Sequence, residues 1–178
     1  LGVNYYTSRL VAPKVEKFKF QIIDDDIDVD FSKDPSWLVA RASWLYIVPG
    51  GLYDLLLWLR DEFKNPKMLI TENGYSSNES LDDNDRISYI QDHLTQVSNA
   101  IMRKCNIIGY TVWSLTDAFE WTLGYTQKFG IFAVNMTSVD KERIPRKSAL
   151  YFKELIETRK INKNHFQTYF EFYLFFIL

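Results

Sequence analysis

The stretch Met68–Gly74 (MLITENG) runs from a short apolar segment straight into an ionisable carboxylate, Glu72, and Asn73-Gly74 is expected to turn the chain directly behind it. A lone glutamate at a strand end is ordinarily a solvated surface residue. Two other segments change that reading. Ile107–Leu115 (IIGYTVWSL) carries Trp113 near its end and leads into Asp117-Ala118-Phe119 and then Glu120-Trp121. Leu1–Ser8 ends in Asn4-Tyr5-Tyr6 and a short polar run. If these three strands run parallel, their ends share one rim. Carboxylates and amides hydrogen-bond hydroxyls, and aromatic faces pack on the C–H side of a sugar ring. Two carboxylates at one site also suit glycoside hydrolysis. Composition alone leaves core packing as an equal explanation for Trp113 and Trp121.

The elements that must position these groups are legible from hydrophobic spacing. Pro49-Gly50-Gly51 opens a helix whose Leu52, Leu55, Leu56, Leu59 and Phe63 form one apolar stripe, and Asn65-Pro66 stops it. After Glu72 a polar loop runs through Asp85. Ile87, Ile90, Leu94, Val97 and Ile101 then mark a long amphipathic helix. An extended segment, Gly130–Val134, precedes a last helix from about Arg146 to Thr158. Strands alternating with helices mean parallel pairing through crossover helices. An open nucleotide-binding sheet needs a glycine-rich turn after its first strand, and the seven glycines are scattered instead. A barrel keeps its chemistry at the C-terminal ends of its strands, where Glu72 stands. The expected fold class is therefore α/β: about three βα units, the C-terminal part of a (β/α)8 TIM barrel, over residues 1–160.

Composition narrows the partners. A formal charge of −2 offers no basic field for nucleic acid or anionic lipid. The single cysteine, Cys105, excludes an internal disulfide framework and reads as a buried, inert thiol continuing a helix's apolar face. Asp24-Asp25-Asp26-Ile27-Asp28-Val29-Asp30 lacks the glycine hinge and bidentate glutamate of an EF-hand loop, so it reads as a solvated acidic loop without metal. The chain begins Leu1-Gly2-Val3, already strand-like, which is expected of a piece of something longer. In the tail, residues 161–178, the uninterrupted apolar run Phe172–Leu178 is far below the ~18 residues of a membrane span. A short helical appendage or non-native chain end is expected there, with no assigned role. Three strands without the rest of a barrel would leave two sheet edges open.

ITENG at Ile70–Gly74, together with GYTVWSLTDAFEWTLGYTQKFGI at Gly109–Ile131, resembles glycoside hydrolase family 1, the β-glucosidase family. LGVNYYTSR at Leu1–Arg9 resembles that family's sixth-strand segment, and SWLYIVPGGLYDLLLWL at Ser43–Leu59 its next helix entry. The likeness runs from Leu1 to about Leu155. It implies that Glu72 is the catalytic nucleophile and that the Tyr6 phenol holds it ionised and oriented. It places Asn4 around the same site and makes Glu120 a binder of sugar hydroxyls, with Trp121 beside it. Trp113 becomes the platform under the glycone ring, Phe129 a lining residue, and Trp44 a residue of the aglycone entrance. The residues alone would pair Glu72 with Glu120 as nucleophile and acid. In the family the acid/base belongs to an Asn-Glu-Pro motif on an earlier strand, and this sequence has no Asn-Glu-Pro.

The implied function is a retaining β-glycosidase acting on unphosphorylated β-glucosides or related glycosides, without metal or organic cofactor and inactive as this portion alone. The family usually has Asn where Ala118 stands and often a bulkier residue at Gly50, which bears on loop rigidity and aglycone preference. Phosphorylated sugars are rejected, because Glu120 would face the phosphate with like charge. A non-catalytic receptor-like relative and a myrosinase-type thioglucosidase are the alternatives. The sequons Asn78-Glu79-Ser80 and Asn135-Met136-Thr137 favour an extracellular or lumenal location. Glucose and galactose both remain open as glycone.

Overall fold

Three of the strands expected from the apolar runs lie side by side and parallel. The computed structural model describes residues 1–14, 29–163, 166–169 and 173–176. β1 (Gly2–Asn4) pairs with β4 (Met68–Gly74), and β4 with β5 (Ile107–Trp113), both parallel. Helix α1 (Pro49–Glu62) crosses over between β1 and β4, and α2 (Asn84–Met102) between β4 and β5. A third helix, α3 (Lys147–Thr158), follows β5. The helices form as their periodicity predicts and bury that face. Leu52, Leu56 and Leu59 of α1, Ile90, Leu94 and Val97 of α2, and Phe152 and Leu155 of α3 close over Met68, Ile70, Tyr110 and Val112 of the sheet. Phe63 departs from the predicted stripe. It lies one residue past α1, more than half exposed, edge-on to Trp58. No helix among the described residues is long and apolar enough to cross a membrane.

Smaller pairings escaped the sequence. β2 (Leu10–Pro13) and β3 (Val29–Ser32) form an antiparallel pair, so the acidic run ends in a strand; residues 24–28 lie outside the described residues. β6 (Phe132–Val134) and β7 (Arg143–Pro145) form a second, where only the first strand was expected. Cys105 is buried with its thiol toward the Leu56 carbonyl at 3.6 Å, but α2 has already ended at Met102. It caps the approach to β5 instead of extending a helix face.

The tail is the largest departure. Its described residues form strands, not a helix: β8 (Lys160–Lys163) pairs antiparallel with β9 (Phe166–Tyr169), and β10 (Tyr173–Phe176) pairs parallel with β5. The sheet order is β1-β4-β5-β10. Of the two edges expected to be open, that of β5 is covered. The open edges of this sheet among the described residues are the outer edge of β1 and that of β10 itself.

One buried ionisable group lies under the sheet. His93 of α2 is fully buried, stacked on Tyr89 at 3.8 Å, and its Nδ1 donates to the Tyr89 carbonyl at 2.8 Å. Its Nε2 has no hydrogen-bond partner among the described residues. Burial pulls its pKa down from 6.5 to about 4, with the Tyr89 bond opposing, so the folded chain keeps it neutral. Between those two values the unfolded chain takes up a proton that the folded chain refuses. Stability is therefore complete above about pH 6.5 and falls as pH drops toward 4, by about 3 kcal/mol from this residue. Urea titrations of the wild type and His93→Phe at pH 7 and pH 4 check this. The difference between the two proteins should shift by that amount toward the variant at low pH, and a constant difference refutes it.

Candidate active site

β4 is not a regular strand. Val3 pairs with Ile70 but Asn4 with Glu72, and on the other side Ile70 pairs with Tyr110 but Asn73 with Val112. Both neighbours thus oppose one extra residue at Thr71–Glu72. Such a bulge shifts the alternation of side chains by one. Met68 and Ile70 face the helices, and in an unbroken strand Glu72 would join them. With the bulge, Asn73 takes that buried face instead and Glu72 turns to the opposite one.

Asn73 is completely buried, and its amide is fully used. Its Oδ1 accepts from the Tyr110 hydroxyl at 2.6 Å, and its Nδ2 donates to the Tyr5 carbonyl at 2.7 Å and the Tyr89 hydroxyl at 3.1 Å. One side chain therefore ties β1, β5 and α2 around the bulge. Behind it, a Cβ on Gly74 would lie 1.9 Å from the Trp113 carbonyl oxygen, a backbone atom that cannot move aside. Glycine there allows β4 and β5 to touch where Glu72 and Trp113 project.

Consecutive tyrosines on β1's extension take opposite directions. Tyr5 is buried; its hydroxyl donates to the Val48 carbonyl at 2.6 Å, at the start of α1, and lies 2.8 Å from the Ser8 hydroxyl. Tyr6 points to the other face and donates to Glu72 Oε2 at 2.6 Å. Burial first, then this bond and the Glu72 charge, push the Tyr6 pKa well up, so the phenol remains a donor.

The carboxylate and phenol belong to a cavity of about 190 Å³ lined by Tyr6, Trp44, Glu72, Trp113, Glu120, Trp121 and Phe129. Phe129 is buried, edge-on to Tyr6 at 6.1 Å and stacked with Trp44 at 6.4 Å. Trp113 Nε1 donates to Glu120 Oε1 at 3.3 Å, across a Trp113–Ser114 peptide that is cis. Burial raises the Glu120 pKa, the Trp113 bond lowers it, and the charges of Glu72 and Asp117 raise it further. Trp121 forms the outer lip at 84% exposure, in a left-handed backbone conformation (φ 48°) that costs about 1 kcal/mol. Of the eight residues singled out from the sequence, seven line this cavity. Asn4 does not. It sits on the rim, exposed, accepting from the Thr71 hydroxyl at 2.5 Å.

The loop carrying Glu120, Trp121 and Phe129 is anchored by charges buried beneath it. Asp117 accepts from Arg146 Nη1 and Nη2 at 3.0 and 2.9 Å and from the Gly130 amide at 3.0 Å, and Arg146 also reaches the Gly130 carbonyl at 2.6 Å. Next to it Asp83 binds Arg86, the Ser148 amide and the Ser148 hydroxyl. Arg86 donates to Ser77 Oγ and to the Lys128 carbonyl, both at 2.6 Å. These two arginines were missed from the sequence. Arg86 follows the acidic start of a helix and Arg146 begins another, positions where cations are ordinarily solvated.

The sequence model of glycosyl hydrolase family 1 matches residues 1–161. The chain belongs to glycosyl hydrolase family 1. Among its family 1 relatives, Myrosinase 1 of Brevicoryne brassicae is 40% identical over 169 residues, 89% of this chain and 34% of that protein. The cytosolic beta-glucosidase of Homo sapiens is 36% identical over 158 residues, 87% of this chain and 33% of that protein. The solved beta-glucosidase of Thermotoga maritima in complex with azafagomine superposes with a TM-score of 0.77 at 30% identity, covering 88% of this chain and 34% of its own. The chain spans about a third of the length of these family 1 proteins. Its parallel strands and crossover helices are part of the (β/α)8 barrel.

Proposed function

We propose that this chain supplies the nucleophile and the glycone-binding wall of a retaining β-glycosidase acting on unphosphorylated β-glucosides or related glycosides. The observation that carries the reading is the Tyr6 phenol donating at 2.6 Å to Glu72 in a cavity walled by Trp113, Glu120 and Phe129. A carboxylate held by a permanent donor is fixed in orientation, as a nucleophile aimed at an anomeric carbon must be. Glu72 attacks that carbon while a general acid protonates the leaving oxygen, and water then hydrolyses the glycosyl ester on the same face. The two carboxyl groups of such a pair stand ~5–5.5 Å apart. Glu120 does not serve as the acid in this scheme. It is bound to Trp113 and accepts hydrogen bonds from sugar hydroxyls, as the family resemblance implies. Hydrolysis requires barrel strands beyond residues 1–178, since no Asn-Glu-Pro occurs within them. The exposed Asn78 of the first sequon suits a secreted or lumenal enzyme.

A second reading, a thioglucosidase, is favoured by one finding, the 40% identity to a myrosinase. In either case the glycosyl-enzyme forms on Glu72. A form of the protein carrying the whole barrel, given an aryl β-glucoside and followed by proton NMR, should release the β anomer first. The α anomer would overturn the retaining mechanism. Faster turnover of the matching aryl β-thioglucoside would select the second reading.

A further inference from the structure

We propose that β10 is a substitute barrel strand: it occupies the outer edge of β5, where the first strand of a closed barrel would pair, and holds that edge shut. A (β/α)8 barrel closes by pairing its last strand with its first, in parallel. β5 is the last of the parallel strands in the family match, which ends at residue 161. The strand found on its outer edge comes from beyond that match. Tyr173 pairs with Gly109, Leu174 with Tyr110, Phe175 with Thr111 and Phe176 with Val112, all parallel and without a register shift.

Both partners suit the pairing. β5 (IIGYTVW) has the near-continuous apolar character of a strand buried on both faces, and Gly109 to Val112 are all buried. Such a strand left as an edge is a template for any passing chain. From Phe166 to Leu178 the sequence holds no proline or glycine and a single charge, Glu171. Residues 173–176 are all aromatic or aliphatic, the composition of a strand at the centre of a sheet. The preceding hairpin delivers it, since β8 and β9 pack against α2 and Ile161 is buried in the main core. Any segment that completes a barrel on this side must displace β10 first. The edge of β1 stays available to the rest of the barrel, so the two sides of the portion are not equivalent.

Disulfide trapping in the 178-residue chain tests this. Neighbouring strands lie ~4.8 Å apart, within the ~4.4–6.8 Å Cα separation that disulfides span. Thr111→Cys with Phe175→Cys should cross-link within one chain on mild oxidation. Thr111→Cys with Leu174→Cys, one residue out of register, should yield about fivefold less or lower. Equal yields, or cross-links only between two chains, overturn the proposal. A second variant, Leu174→Pro, removes a ladder amide. It should speed amide exchange across Gly109–Val112 by about tenfold while α2 stays protected. Unchanged exchange at β5 also overturns it. If that variant unfolds, the cysteine pairs, which contain no proline, decide.

Discussion

Replacing Glu72 by alanine in a form of the protein that carries the whole barrel will lower turnover of an aryl β-glucoside by about 10⁴-fold or more. The expectation follows from geometry more than from the presence of a carboxylate. The bulge at Thr71–Glu72 turns this side chain from the helix-facing core into the cavity, and Tyr6 meets it there at 2.6 Å. A 2-fluoroglycoside should label the wild type on the peptide that contains Glu72, and on no other. Glu120→Gln should behave differently. It loses hydrogen bonds to a charged acceptor, about 1.5–3 kcal/mol, or roughly ten- to a hundredfold in rate. Covalent labelling of Glu72 should survive. Were Glu120→Gln instead rescued by activated leaving groups and by azide, Glu120 would be the acid and the roles given to the two carboxylates would be wrong.

The largest expected effect on stability comes from a residue that touches no substrate. Asp117→Ala should lower the unfolding free energy by about 3–5 kcal/mol, read from urea titrations. Asp117 and Arg146 are both almost fully buried, and their two-pronged bond is the charge compensation for the arginine. Removing the carboxylate leaves a guanidinium in the interior and strips the Gly130 amide of its acceptor. Removing both charges should cost much less, because the desolvation of the pair disappears with it. Asp117→Leu combined with Arg146→Met should therefore be more stable than either single change. Strict additivity of the two would show that the charges act independently. The same loss should loosen Glu120 and Phe129, which flank the anchored backbone, and raise KM in the complete enzyme.

How far the sequence could be read depended on the range of the signal. The helices α1, α2 and α3 and the strands β4 and β5 rest on local periodicity, which the chain states directly. The cavity wall was legible in part for another reason: Tyr6, Glu72, Trp113, Glu120 and Trp121 stand at or just beyond strand ends, whereas Trp44 and Phe129 were named only by the resemblance to the family. The bulge was not legible, because it depends on what two neighbouring strands place opposite Thr71. For the same reason Asn73 read as a turn residue, when it continues the strand as a buried clamp. Arg86 and Arg146 were passed over because a buried guanidinium is recognised by its partners, and Asp117 lies 29 positions from Arg146. Phe63 fits the apolar stripe by spacing, yet the helix ends one residue before it. The strand character of the tail was hidden by register with β5, a pairing 64 positions away.

The Asn73-Gly74 pair has a chemical consequence of its own. In a mobile peptide this dipeptide is the one most prone to deamidation, because the glycine nitrogen can swing onto the side-chain carbonyl carbon and expel ammonia. Here the carbonyl oxygen is held by Tyr110, the amide nitrogen by the Tyr5 carbonyl, and the backbone by strand geometry. The ring cannot close while these bonds last. Conversion of Asn73 to aspartate or isoaspartate therefore proceeds only in molecules whose β4 has opened. Aged protein carries in that one residue a cumulative record of how often the strand bearing Glu72 has come apart.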